Sequence, residues 1–371
     1  MRSAPGCATP SEPAPARPVP PPALIRTTTA ALAGPDPAWR RAALDRPEDD
    51  HDRLLAEAEA LHVIECGPPP AEAVPPPEKL RVVAWNAEYL KHVEASAERL
   101  LSLEPDVVLL SEVDLGMSRS GNRHTAADLA RRLGMTWVFA AEFVELGPVE
   151  GAGPVQQGGG NVRGLHGNAI LSRLPILDPV LVRFGTDGRW FSGRLKGARR
   201  IGGRIAVTAR IDTADGPVGL AATHFESYGD PEERAAAMRA LLDALERIDP
   251  ALPWLVGGDL NTNTVRLEER LEPGWRERVT TLVPSRLVDP VAYEPLFGEA
   301  EAQGYVWRTL NTLNVPTQRL HEGEPERPLG RLDWLLARGL AAAGPATVPA
   351  RGENGLVLSD HEMVAITVRR A

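Results

Sequence analysis

From Leu80 to Val368 the sequence alternates short apolar runs with amphipathic stretches of helical period, and this alternation does most to narrow the possible folds. The apolar runs at 80–85, 107–110, 137–140, 169–172, 205–211, 218–223, 254–256, 332–336 and 363–368 are too short for helices and predict strands. Val107-Val108-Leu109-Leu110 is apolar throughout, as suits a strand covered on both faces. Helices are expected at 95–103, ended by Pro105, and at 125–133, stopped by Gly134. A third begins at Asp230-Pro231-Glu232-Glu233 and runs to about 248. It has a side-chain cap, a proline in the first turn and acids facing the helix dipole. Strands interleaved with helices specify an α/β fold whose sheets are covered by helices.

Polar residues fall just past these apolar runs. Asn86 follows 82–85, Glu112 follows 107–111, His224 follows 220–223, and Asp259 with Asn261 follows 254–258. Asp333 lies inside its run, and Asp360-His361 precedes the last one. A sheet collects strand ends along one edge, so residues far apart in sequence can share one cleft. Their types suit one task. Glu112, Asp360 and the amide oxygen of Asn86 are hard oxygen ligands, appropriate to Mg²⁺ or Mn²⁺ rather than zinc. Such a cation polarises a phosphoryl oxygen and offsets charge in the transition state. His361 can act as general base on water when a carboxylate holds its other nitrogen, and Asp333 is the candidate for that role. Asp259 and Asn261 can position the water and a phosphate, and His224 can stabilise or protonate the leaving oxygen.

Six segments carry a resemblance in order: Trp85-Asn86, Ser111-Glu112-Val113, Thr223-His224-Phe225-Glu226-Ser227, Gly257-Gly258-Asp259-Leu260-Asn261-Thr262, Arg331-Leu332-Asp333-Trp334 and Ser359-Asp360-His361. Together they resemble the motif series of the endonuclease/exonuclease/phosphatase superfamily, over residues 80 to 370. The resemblance implies a four-layer α/β/β/α sandwich of two mixed sheets flanked by helices. It also implies Glu112 as principal cation ligand and a His361–Asp333 pair. His166-Gly167-Asn168-Ala169-Ile170-Leu171-Ser172 is similar to a further familial segment, which makes Asn168 and His166 candidates for substrate contact. Glu88 stands two positions after Asn86, where nuclease branches often place a second acid. The abasic-site enzymes' tyrosine loop is replaced by His224-Phe225-Glu226-Ser227, closer to the sphingomyelinase, deoxyribonuclease and tyrosyl-DNA phosphodiesterase branches. The activity implied is Mg²⁺-dependent, nuclease-like hydrolysis of phosphodiesters. The alternatives are a phospholipid or small-molecule phosphodiesterase, or a binding module that keeps the fold without the chemistry.

Residues 1–34 are rich in Pro and Ala and predict disorder, 37–62 predict a helix, and the proline triplets at 68–70 and 75–77 predict a stiff linker. That organisation predicts an extension over 1–78 and a catalytic domain over 79–371. Neither cysteine, Cys7 or Cys66, follows residue 78, which leaves no disulfide framework or zinc cluster. No apolar run spans a membrane, and the proline-broken start lacks a secretory pattern, so a cytoplasmic location is the default expectation. The partner expected is a phosphate ester, with nucleic acid first. Only Lys79, Lys91 and Lys196 supply lysine after residue 78, which argues against tight sequence-independent duplex binding. The basic run from Arg183 to Arg210 reads either as a solvated loop or as a phosphate-steering rim. Arg119, Arg123 and His124 precede a helix, where they meet either solvent or a phosphate. The segment 147–160 predicts a Gly-rich loop.

Overall fold

Alternation along each strand sorts its side chains onto two faces, and here both faces are apolar. In Leu80–Asn86, Leu80, Val82 and Ala84 enter one buried cluster, while Val83 and Trp85 enter another. Trp254–Asp259 and Asp333–Arg338 divide the same way: Leu255, Leu335 and Ala337 to one side, Trp254, Val256, Trp334 and Leu336 to the other. Sheets apolar on both faces stack on each other and on helices. The computed structural model, which describes residues 21–70, 74–147, 160–185, 188–192, 199–321 and 323–371, has that architecture.

One sheet has six strands in the order Ala23–Ile25, Leu177–Arg183, Ile205–Thr213, Gly216–His224, Trp254–Asp259, Asp333–Arg338. The second runs Leu340–Val348, Met363–Arg370, Leu80–Asn86, Val107–Leu115, Leu165–Ser172, Thr136–Glu145, Ile64–Cys66, Thr28–Thr29, and Arg200–Gly202 also pairs with Thr136–Glu145. Both are mixed: Gly216–His224 is parallel to Trp254–Asp259, and Leu80–Asn86 to Val107–Leu115, within otherwise mostly antiparallel neighbours. The cluster holding Val82, Leu109, Ile170, Leu220 and Leu255 fills the space between the sheets. Helices Val93–Leu101 and Thr125–Leu133 cover the nine-stranded sheet, and Pro231–Ile248 with Leu296–Ala302 covers the six-stranded one. The result is the four-layer α/β/β/α sandwich. No helix among the described residues is long and apolar enough to cross a membrane.

Several elements differ from the sequence expectations. Residues 37–62 hold two α-helices, Pro37–Leu44 and His51–Glu57, with 3-10 turns at Glu48–Asp50 and Glu59–His62, rather than one helix, because Pro47 interrupts the pattern. Ala23–Ile25 and Thr28–Thr29 are strands inside the stretch expected to be disordered. Leu177–Arg183 is a strand despite Asp178-Pro179, since a register shift opposite Ala209 takes up these two residues. Asp230 begins its helix as expected, in a capping box with Glu233, whose carboxylate accepts the Asp230 N–H (2.9 Å), and the Asp230 carboxylate also accepts the Leu267 N–H (2.7 Å). Most of the 147–160 stretch, and Arg194 and Lys196 of the basic run, lie outside the described residues.

One ion pair ties the helical layer to the functional edge. Arg234 of Pro231–Ile248 donates to both oxygens of Glu294 at 2.9 and 2.7 Å, with both side chains essentially inaccessible to water. Glu294 also accepts the Thr264 N–H at 2.7 Å, which holds the loop that follows Asp259. Glu294→Ala leaves a buried guanidinium without its counter-charge and is expected to cost about 3–5 kcal/mol. Arg234→Met with Glu294→Leu removes both charges and should restore most of that loss. Urea unfolding of the three proteins checks this, and a double variant no better than the single one would refute it.

Candidate active site

The inward alternation of the strands continues into polar residues at their ends. Ala84 faces the other sheet, and Asn86 is the next inward position; Ala222 leads to His224, Leu255 by way of Gly257 to Asp259, and Leu335 back to Asp333. Register sets His224 opposite Asp259 and Asp259 opposite Asp333, so the three form one row across adjacent strands. Gly258 permits this register. Its φ is +152°, and a Cβ there would lie 1.8 Å from the Thr223 carbonyl oxygen. On the facing sheet a bulge between Leu110 and Val113 re-aims Glu112, whose φ of +55° is one that non-glycine residues rarely adopt. Asp360 and His361 arrive on the loop before Met363–Arg370, where the Ser359 hydroxyl donates to the Asn86 carbonyl at 2.7 Å.

Asp259 is the hub. One carboxylate oxygen accepts the Asn86 amide N–H at 3.0 Å and lies 3.5 Å from His224 Nε2 and 3.7 Å from His361 Nε2. The other accepts the Asn261 backbone N–H at 2.8 Å. His361 Nδ1 meets Asp333 Oδ2 at 2.7 Å; an ionised carboxylate only accepts, so Nδ1 carries a proton. Asn86 also donates to Glu112 at 3.1 Å, and its oxygen accepts the Glu88 N–H at 3.3 Å. The amide expected to offer oxygen to a cation thus presents nitrogen, the arrangement that two adjacent carboxylates favour. Asn261 donates its side-chain amide to the Phe225 carbonyl at 3.0 Å.

Burial and charge move the protonation states apart. Burial pushes the Asp259 carboxyl up to about 7, with Asp333 adding to the rise and His361 opposing it. Burial alone would lower His361, but Asp333, Asp259 and Asp360 outweigh it and raise it well above the usual histidine range. His224 is held neutral, first by burial and then by Arg204. Burial raises Glu112, and the Asp360 charge raises it further. Such shifts concentrate where proton transfer is arranged.

Glu112, His224, Asp259, Asp360 and His361 line a cleft of about 290 Å³ together with Tyr89, Arg119, Phe143, Trp190, Arg200 and Arg204. Each arginine already has an acid: Arg119 pairs with Asp114, Arg200 with Glu145, and Arg204 with Glu142. The carboxylates Glu112, Asp259 and Asp360 therefore share the cleft in excess over unengaged cations among the described residues. That donor set of hard oxygens fits a divalent cation.

His166 lines the cleft, but it is committed to Asp114 (2.7 Å) and Arg119 (2.9 Å), and burial lowers its pKa to about 4. Asn168 is fully buried and absent from the cleft lining, and it donates to the Ile205 carbonyl at 3.2 Å. Arg123 faces away. It pairs with Asp128 and Glu94 and is absent from the cleft wall, whereas Arg119, aimed by Asp114, is on it. In the basic run, Arg183 is a buried strut that donates to the carbonyls of Leu61, Ala141, Glu142 and Gly203. Only Arg200 and Arg204 of its described members reach the cleft. Tyr89, Trp190 and Glu142 also stand at or beside the cleft, outside the motifs legible in the sequence. Glu142 Oε2 is 3.9 Å from His224 Nδ1, and burial pushes Glu142 up to about 7. Its signal was a charge inside the apolar stretch from Trp137 to Val144.

The sequence profile described as the Endonuclease/Exonuclease/phosphatase family matches residues 80–361. No curated protein matches the chain. Among solved structures it is similar to an endonuclease/exonuclease/phosphatase from Beutenbergia cavernae DSM 12333, with TM-score 0.51 and 20% identity over 79% of this chain and 72% of that one. It is also similar to the human Nocturnin catalytic domain with bound sulfate anion, with TM-score 0.50 and 17% identity over 79% and 94% of the two chains. A family protein from Leptotrichia buccalis C-1013-b gives TM-score 0.50 and 13% identity over 78% and 99%. At these identities the likeness is one of fold.

Proposed function

The chain belongs to the endonuclease/exonuclease/phosphatase family, and from that premise we propose that it is a divalent-cation-dependent phosphodiesterase working by direct attack of water. The observation that carries this reading is the Asp333–His361–Asp259 constellation, 2.7 and 3.7 Å between partners, beside Glu112 and Asp360 in one cleft. Glu112 and Asp360 would hold the cation, Mg²⁺ or Mn²⁺, whose chemistry is to polarise a phosphoryl oxygen.

The protein's own groups supply the rest. Asp259, whose pKa sits near the working pH, accepts the proton of the attacking water as the new P–O bond forms. His361 keeps its Nδ1 proton on Asp333 and, charged, directs Nε2–H at the phosphoryl oxygens. Asp259 and His361 face each other, so they titrate as a pair and the base is best assigned to both. Neutral His224 donates a hydrogen bond from Nε2–H to the leaving oxygen as its bond to phosphorus breaks, and that oxygen takes its proton from solvent. Asn261, fixed by its bond to Phe225, orients the phosphate. Tyr89 and Trp190 on the cleft lining are aromatic groups of the kind a base can pack against, which puts nucleic acid ahead of alkyl esters.

The test is hydrolysis of a p-nitrophenyl nucleotide diester, bis(p-nitrophenyl) phosphate and a phosphomonoester, with Mg²⁺ or EDTA. Cation-dependent diester turnover with little monoester turnover is expected; absence of turnover on all three, with each cation, would count against the proposal. The base must be unprotonated, so kcat/KM should rise with pH through about 7. Asp333→Asn removes a charge that raises Asp259 and should move this limb to lower pH while lowering the maximum.

A further inference from the structure

We propose that Glu88, Asp360 and His321 form a mixed oxygen–nitrogen site for a transition-metal dication at the mouth of the cleft, with His321 as its nitrogen ligand. The inference rests on the cation-dependent reading above and adds a ligand from a different element. One ligand atom from each of the three residues lies within 4.8 Å of the other two, and all three side chains are partly open to solvent. His321 Nε2 stands 3.4 Å from Glu88 Oε1. Around a cation with bonds of about 2.1 Å, adjacent donors are about 3 Å apart, so a small closure brings this pair to ligating distance.

The backbone holds the three in place without a cation. Arg319 N–H donates to the Asp360 carbonyl at 2.8 Å and Glu362 N–H to the Thr317 carbonyl at 2.7 Å, which fasten the segment carrying His321 to the Asp360 loop. Glu88 Oε2 accepts the Asp360 N–H at 3.1 Å, leaving Oε1 toward His321. The Lys91 ammonium also pairs with Glu88 Oε1, so positive charge already occupies this point and a metal must displace it.

An imidazole in place of a third oxygen changes which metal is favoured. Mg²⁺ prefers oxygen and water and dehydrates reluctantly, whereas a site with an imidazole nitrogen also takes first-row transition dications, Mn²⁺ the most weakly of the series. The site should therefore bind Mn²⁺ in preference to Mg²⁺, through a contact that also draws the segment around His321 onto the cleft rim.

The test is binding of Mn²⁺ and Mg²⁺ to the full chain by calorimetry, with pulsed electron paramagnetic resonance of bound Mn²⁺, for wild type, His321→Ala and Lys91→Met. The expected result is nitrogen modulation from a coordinated imidazole in wild type and its loss in His321→Ala. Mn²⁺ affinity should fall at least about tenfold, the scale on which even indirect partners of a metal act. Mg²⁺ affinity should barely change, and Lys91→Met should tighten Mn²⁺. His321 lies on the surface, so its variant should keep the wild-type circular dichroism spectrum. Mn²⁺ bound without nitrogen modulation, or modulation unchanged in His321→Ala, overturns the proposal and leaves the cation-dependent reading standing. A wild-type chain that binds neither cation overturns both.

Discussion

Turnover of a diester by His361→Ala is expected to fall about 10²- to 10⁴-fold, the usual cost of losing a positioned proton-transfer group. Three consequences of the geometry set the pattern of that loss. The variant removes the donor that faces the phosphoryl oxygens and the cation that helps Asp259 ionise, since His361 lowers the Asp259 pKa. Its acid limb should accordingly move to higher pH, opposite to the shift expected for Asp333→Asn. It also strands Asp333, whose Oδ1 already lacks a hydrogen-bond partner among the described residues, so a stability cost of about 1–3 kcal/mol should accompany the kinetic one. Because Asp333 acts through His361, the double variant His361→Ala, Asp333→Asn should be little slower than His361→Ala alone. Multiplicative losses in the double variant would mean that Asp333 has a role of its own. Single-turnover rates are the appropriate readout, since they separate chemistry from product release.

The site was legible at the points where local pattern and position in a sheet coincide. Asn86, His224 and Asp259 each follow an apolar run, and a run that ends in a polar group can only bring that group to a sheet edge. Their common direction is a matter of parity within each strand and register between strands. Arg119 and Arg123 show where such reasoning stops. Both precede the same helix, and nothing local says that Asp114 in the neighbouring strand will aim one into the cleft while Asp128 and Glu94 hold the other outside. Glu142 was hidden differently, because its partners are distant in sequence: Arg204 in the turn before Ile205–Thr213, and His224 at the end of Gly216–His224. Leu340–Val348 escaped notice because alanine and glycine carry little strand preference; this edge strand exists through its pairing with Met363–Arg370. Residues 21–34 misled through composition: proline, alanine and threonine predominate there, and the large apolar residues that order them, Leu24, Ile25 and Leu32, are few.

A chain starting at Lys79 should fail to fold stably, which is the largest effect expected from any change discussed. The cut removes edge strands from both sheets: Ala23–Ile25 pairs with Leu177–Arg183, and Ile64–Cys66 pairs with Thr136–Glu145. Exposed edges of that kind invite association with other chains. It also removes Leu32, Leu54, Leu55 and Leu61 from the core under the nine-stranded sheet. At about 1.5–3 kcal/mol for each buried side chain, the four together carry an amount comparable to the whole net stability of about 5–15 kcal/mol typical of a domain, before the chain entropy regained is counted against them. Polar groups lose partners as well. Arg183 loses the Leu61 carbonyl at 2.7 Å, and His124 loses Glu65 at 3.0 Å. By contrast, a chain starting at Pro21 keeps all of these contacts and should melt within a few degrees of the full chain. Side-by-side melting and size-exclusion profiles decide the matter: a soluble, monomeric protein from Lys79 with an unchanged melting temperature would show that residues 21–78 are an appendage, as their composition suggests, rather than part of the sandwich.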